Sequence, residues 1–198
     1  MTHLRTLLAT AALTAGLTAA TLTGTSSPAQ AAVTIDCSSG PVSITSSTED
    51  YVLTGACSNV TVVASNVTVA LAGAARVDIS GANVDVTSTG PIDSLSLTDA
   101  VSTVSAPSAG SAKIRSSNVD LRIAALDSVK VIGSNNSVKV TDGTTAKVKG
   151  ANNRLVYAKL KTLVVNGANN HATVKKGATK VTVKGPNNLV RVHKRLKP

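Results

Sequence analysis

The sequence predicts an all-β fold, a single-domain β-solenoid, and three observations predict it. Gly133-Ser134-Asn135-Asn136, Gly150-Ala151-Asn152-Asn153, Gly167-Ala168-Asn169-Asn170 and Gly185-Pro186-Asn187-Asn188 recur every 17 or 18 residues. Between them, apolar residues alternate with Lys, Thr or Ser, the period-two pattern of a strand with one face inward. Aromatics are nearly absent: Tyr51 and Tyr157 stand alone, with no Trp or Phe, so the core must be thin and built from Val, Ala and Leu. A fixed period of this length, with strand chemistry between turn signals, is how stacked coils look in sequence.

Residues 1–31 stand apart from the pattern. Met1 to Arg5 is a short basic start, Leu7 to Leu22 an apolar Ala/Leu/Thr stretch, and Ala29-Gln30-Ala31 a small-x-small cleavage signal. Together they read as a secretory signal peptide cleaved before Ala32. The alternative, a transmembrane anchor, is disfavoured by the interrupting Thr residues and the cleavage site. No twin-Arg pair is present, which favours the general secretion route. The repeat domain then occupies residues 32–198. No further apolar span is long enough to cross a membrane, and the product is expected to be secreted or associated with the cell envelope.

Cys37 and Cys57 come next, 20 residues apart, close to one repeat period. In an exported chain an even cysteine count suggests one disulfide, here tying the first turn of the solenoid to the second. Two free thiols or a metal pair are the alternatives. A metal is disfavoured because no His or further Cys lies nearby.

With the corner Gly as a zero mark, weaker copies extend backwards. Marks fall at Ser47, Ala64, Gly81, Leu97, Ser116, Gly133, Gly150, Gly167 and Gly185, giving nine rungs. Two before the mark, the column reads Thr45, Val62, Ile79, Leu95, Ile114, Val131, Val148, Val165, Val183. Five after, it reads Val52, Val69, Val86, Ser102, Leu121, Val138, Leu155, Ala172, Val190. Seven after, it reads Thr54, Leu71, Ser88, Val104, Ile123, Val140, Tyr157, Val174, Val192. Each rung should therefore carry one short strand before its corner and one after it.

Two after the mark stand Glu49, Asn66, Asn83, Asp99, Asn118, Asn135, Asn152, Asn169 and Asn187. Stacked amides can hydrogen-bond from rung to rung, so Asn66, Asn83, Asn118, Asn135, Asn152, Asn169 and Asn187 are the expected structural ladder. Asn also tolerates the left-handed backbone of a sharp corner, and Gly tolerates it better. The next position is Asn only in the last four rungs, with Val67, Val84 and Val119 before them.

These G-x-N-N corners, behind a signal peptide and an early Cys pair, resemble an exported actinobacterial family catalogued only as a domain of unknown function. The resemblance covers roughly Val33 to Val192 and is strongest from Lys130 onward. Ser47, Leu97 and Ser116 at the mark, and Val at the second Asn, depart from it. It implies a fold and an exported location, and no activity.

Charge is uneven. Residues 32–112 hold one basic residue, Arg76, and seven acidic ones; residues 113–198 hold 18 basic and three acidic. Such asymmetry speaks to partners, not to fold. Lys113, Lys130 and Lys147 repeat three before the mark, and Arg115, Lys149 and Lys184 one before it. They form the candidate polyanion-binding grid, whose stacked like charges cost stability. The bland reading is a solubility device that also blocks edge-to-edge growth. The functional reading is an anionic cell-envelope polymer or acidic polysaccharide. Phosphate contacts could hold nucleic acid, but without stacking aromatics no specific nucleic-acid role is expected. The acidic and basic halves also suggest head-to-tail self-association.

Catalysis finds little support. His171 and His193 lie in different columns without acidic neighbours, and no metal site or cofactor is expected. The runner-up reading is a polysaccharide-active β-helical lyase or hydrolase using the acidic half. It needs two carboxyls about 5 to 10 Å apart across a sugar bond, and Glu49, Asp50, Asp78, Asp85, Asp93 and Asp99 are scattered over different columns, apart from Glu49 and Asp99. A Thr-array ice-binding face is weakened by the Lys, Asp and Val mixed into it. Asn59-Val60-Thr61 and Asn66-Val67-Thr68 match the glycosylation sequon, which acts only in a eukaryotic secretory pathway.

Overall fold

Alternating apolar residues fold here into short strands that bury one face and stack on the next copy of the same pattern. The computed structural model describes residues 31–98 and 101–196. The signal-peptide reading, residues 1–31, lies outside those described except for its last residue, and Asp99 lies outside them too. Fourteen strands follow in order. They are β1 (Val33–Asp36), β2 (Val42–Ile44), β3 (Asp50–Thr54), β4 (Cys57–Val62), β5 (Val67–Leu71), β6 (Ala74–Ile79) and β7 (Val84–Ser88). The remainder are β8 (Ile92–Leu97), β9 (Ser102–Ile114), β10 (Asp120–Val131), β11 (Ser137–Val148), β12 (Arg154–Val165), β13 (His171–Val183) and β14 (Leu189–Leu196).

The pairings are parallel throughout, for example β1 with β3 and β12 with β13. One ladder runs β1-β3-β5-β7-β9 and on through β14; β2-β4-β6-β8 stack beside it and join the second half of β9. The chain is therefore a β-solenoid of about ten turns. The expected nine marks are corners, and the ten ladder strands lie on either side of them, because the chain enters with β1 before its first corner. At about 4.8 Å per strand the stack is roughly 43 Å long.

Each coil bends a second time, between its two strands. In the first coils Gly55 and Gly73 make that bend with φ of 76° and 148°, which interrupts the strand. From β9 onward Pro107-Ser108 and Ala124-Ala125 take the same place, and one long strand passes through the bend.

Register differs from the sequence alignment at two rungs. Tyr51 pairs with Val69, and Leu53 with Leu71, so Tyr51 and Leu53 hold the inward columns, not Val52 and Thr54. Val86 pairs with Val104, which displaces Ser102, and Leu97 pairs with Ile79, which displaces Leu95. Ile44, not Thr45, pairs with Val62. The cause is coil length. Marks at Ser47 and Leu97 each sit a residue or two off, and a one-residue slip turns every side chain to the other face. Burial confirms the new register: Tyr51 and Leu53 are buried and Val52 is exposed.

Cys37 and Cys57 are disulfide-bonded, with Cα atoms 4.8 Å apart. The bond joins the turn Cys37–Ser39, just after β1, to the start of β4. Closing a loop of this length contributes on the order of 3 kcal/mol, mainly by restricting the unfolded chain. Asp36 caps the same turn, accepting from the Ser38 backbone N–H and hydroxyl, and those bonds hold its pKa below the usual carboxylate value.

Tyr157 is the one bulky intruder in the basic half. It is 1% exposed in a column otherwise held by Val140 and Val174. Gly143 makes room: a Cβ there would lie 2.6 Å from Tyr157 Cε1. The phenol Oη has no hydrogen-bond partner, and burial pushes its pKa well up. Tyr157→Phe should therefore leave stability unchanged or raise it by up to about 1 kcal/mol, because an unmade buried hydrogen bond is removed. Gly143→Ala should cost about 1–3 kcal/mol through overpacking against the ring, and Gly143→Ala combined with Tyr157→Val should recover most of it. Urea unfolding of the four chains measures both.

Candidate anion-binding face

The corner geometry comes first, because it decides what each coil presents. All seven predicted ladder residues, Asn66, Asn83, Asn118, Asn135, Asn152, Asn169 and Asn187, have φ between 54° and 61°. They are the left-handed residues of the corners, and they are exposed. Only Asn83 and Asn66 join side chain to side chain, Nδ2 donating to Oδ1 at 3.0 Å. The first corner uses Thr48 in this conformation, not Glu49.

The ladder that runs through the core is the other Asn. Asn136, Asn153 and Asn170 are each 1% exposed. The backbone N–H groups of Val119, Asn136, Asn153 and Asn170 donate to Oδ1 of Asn136, Asn153, Asn170 and Asn188, all at 2.9 Å. In return, Nδ2 of these four donates to the carbonyls of Ser116, Gly133, Gly150 and Gly167. A corner takes backbone groups out of the strand ladder, and a buried backbone group must find a partner. The second Asn supplies one for each. The corner Gly has a separate reason. Gly133, Gly150 and Gly167 have no positive φ, but a Cβ at any of them would lie 1.7–1.8 Å from a carbonyl oxygen of the coil before.

The basic grid divides in two. Lys113 pairs with Lys130, and Lys130 with Lys147, so the three stand in register on adjacent strands β9, β10 and β11. Arg115, Lys149 and Lys184 do not extend that stack. They lie one residue past the ends of β9, β11 and β13, at the mouth of the corners, alternating with Ile132 and Asn166. The two sets are neighbouring columns with different spacing.

Lys113, Lys130 and Lys147 line an open groove of about 650 Å³ that also takes in Arg76. Its lining is hydroxyl-rich: Ser94, Ser96, Ser111, Ser128 and Thr145. Consecutive ladder pairings place Ser94, Ser111, Ser128 and Thr145 in one column beside the lysines, on the same face. Arg76 forms an ion pair with Asp78, and the carboxylate raises its pKa above the ordinary guanidinium value. Among the described residues the other ion pairs are Arg122–Asp120 and Lys159–Asp142, so the three stacked lysines share in none. A second cleft, of about 330 Å³ at the bend, holds Lys159, Lys161 and Lys176 with Asp127 and Asp142 and is partly charge-balanced.

Arg76 and the hydroxyl column were not singled out from the sequence. The signal was present, since both fall two positions before the lysine column along the strand, on the same face. One carboxylate alignment crosses from the acidic half into the basic one, both residues falling four after their marks. Asp85 pairs with Thr103, and Thr103 with Asp120, so the two aspartates face one shallow groove two strands apart. Glu49 does not align with the residues beneath its assumed column, because its corner is set one residue earlier. Asp78 is occupied by Arg76. His171 stacks between Arg154 and Leu189, and among the described residues no three His, Cys, Asp or Glu side chains gather as metal ligands would.

Comparison with protein-family models, with curated proteins and with solved structures finds no match to the chain.

The two Asn columns should respond oppositely to substitution. Asn153→Ala should cost about 2–4 kcal/mol, since the buried Asn136 N–H and Gly133 carbonyl lose their partner. Asn152→Gly should change stability by less than about 0.5 kcal/mol, while Asn152→Val should cost about 1–2 kcal/mol for a β-branched residue held left-handed. Thermal and urea unfolding read the difference.

Proposed function

We propose that this chain is an exported, non-enzymatic binding or structural protein of the cell envelope or the extracellular space, whose basic groove holds an anionic polymer. The observation that supports this reading is the in-register stack Lys113, Lys130 and Lys147 beside a serine and threonine column. Three like charges about 4.8 Å apart repel one another, and no carboxylate relieves them. A polymer bearing phosphate, sulfate or carboxylate groups would relieve that repulsion along the rod axis, with hydroxyls alongside to donate to its oxygens. The flanking Arg115, Lys149 and Lys184 widen the positive field and would raise encounter rates. The disulfide fits an oxidising compartment, and no helix of the described residues is long and apolar enough to cross a membrane.

The test is retention on poly(glycerol phosphate) and on polygalacturonate, with neutral dextran as control, across a salt series. Binding to the two anionic polymers should fall steeply with salt. Lys113→Glu, Lys130→Glu and Lys147→Glu together should weaken it at least tenfold with an unchanged circular dichroism spectrum. Each lysine lost should flatten the salt slope by about one, as at other phosphate backbones. Retention that is unchanged in the triple variant would refute the assignment.

A second reading, cleavage of a polysaccharide, is favoured by one observation, the shared groove of Asp85 and Asp120. Two strand spacings place them about 10 Å apart, near the upper limit for inverting glycosidases. Asp120 is already held by Arg122, which draws its carboxylate toward the guanidinium on its own strand. Release of reducing ends from neutral or acidic glycans, abolished by Asp85→Asn, would establish this reading in place of the first.

A further inference from the structure

We propose that copies of this chain dock head to tail, with β1 of one copy adding to β14 of the next as an eleventh parallel strand. The polyanion groove plays no part in this contact. Its lysines lie on β9 to β11, in the middle of the stack.

Among the described residues both ends of the ladder are open. β1 and β14 each close the strand order with a single neighbour, so each leaves one row of backbone N–H and C=O groups without a strand partner. Such an edge is a template for another strand. The core is open there too. In the middle coils the inward columns are 0–3% exposed, as at Leu121, Val138 and Leu155. At the ends Val33 is 39% exposed, and Ile35, Val190 and Val192 are only partly buried. Among the described residues no helix longer than the turn Cys37–Ser39 is present to cover either edge.

The two ends also match in register. Val33 and Ile35 already stack on Tyr51 and Leu53, which belong to the same inward columns as Val190 and Val192. Continuing the ladder by one coil sets Val33 on Val190 and Ile35 on Val192, apolar on apolar, with Thr34 over Arg191 and Asp36 over His193. Both columns then run unbroken from one copy into the next.

Charge selects this arrangement over its rivals. The first coils carry Asp36, Glu49 and Asp50, and no Lys or Arg occurs from residue 31 to residue 75. β14 carries Arg191, Lys194 and Arg195. Head-to-tail contact brings opposite charges together, whereas head-to-head or tail-to-tail pairing sets like charges against each other. A heterologous contact of this kind does not close, so the product is an open filament.

Sedimentation velocity on the purified chain, with no polymer present, tests this. The chain should form a ladder of sizes that lengthens with protein concentration in about 20 mM salt and shortens in about 1 M salt, where screening reaches only about 3 Å. Arg191→Glu with Arg195→Glu should block one end, and Thr34→Lys the other. These residues are exposed, and unchanged circular dichroism shows each variant folded. Each variant alone should be monomeric, and an equal mixture of the two should grow into long assemblies again, because unaltered ends meet at one contact and the introduced lysine at position 34 faces the introduced glutamate at position 191 at the next. A monomer at every concentration in low salt overturns the proposal. So does continued growth of either variant alone, which would mean that other surfaces make the contact.

Discussion

At each corner the chain must reverse within about four residues and leave room for another corner one strand spacing, about 4.8 Å, above it. Most of the features of this sequence follow from that demand. The corner carbonyl of one coil sits where the Cβ of the next would be, so the mark is Gly at Gly133, Gly150 and Gly167. The chain must turn through a left-handed residue, so the next-but-one position is Asn. The reversal strands backbone donors and acceptors inside the stack, so a second Asn carries an amide inward to meet them. Val67 and Val84 hold that inward position in the early coils. The corner therefore tolerates either a purely apolar or a fully satisfied polar filling.

Parallel in-register stacking has an electrostatic consequence. Any exposed residue type that repeats with the coil becomes a column, and a column of one charge accumulates repulsion. The protein relieves this at two places, where Asp120 lies beside Arg122 and Asp142 beside Lys159. It also alternates Arg115 and Lys149 with Ile132 and Asn166, which doubles the distance between charges in that column. Neither device operates at Lys113, Lys130 and Lys147. The charge of these three lysines is left uncompensated beside a column of hydroxyls, and the proposed anionic partner rests on that.

The stack is not equally secure along its length. The first coils are tied by the disulfide and by the Asp36 cap, and Ile44 and Leu53 are buried close to the end. The last coil has no such tie: β14 is exposed along most of its length, and its core residues are half covered. In a linear architecture each coil is held by its neighbours alone, so a terminal coil with one neighbour opens more readily than the middle. The Lys113 groove lies where coils have neighbours on both sides.

Much of this was legible from the residues alone. The repeat length, the two strands per coil, the paired cysteines and the lysine column all follow from spacing and alternation, because side chains at a fixed period on stacked strands must align. The positive φ at the first Asn was legible for the same local reason. Three things were not. The coils ending near Ser47 and Leu97 differ in length by one and two residues from the marks assigned to them, and only the strand pairing shows that Tyr51 lies inward and that Leu97, not Leu95, stacks on Ile79. The inward Asn could not be told from the outward one, since the two are adjacent and alike, and which amide reaches the core depends on backbone groups contributed by neighbouring coils. Arg76 joins the lysine groove from an acidic stretch of sequence because stacking brings together residues that the chain keeps far apart. Sequence determined the unit and its period, which are local properties of turn and strand chemistry. Tertiary structure decided register, facing and neighbourhood, because those depend on how one coil's hydrogen bonds and volume meet the next.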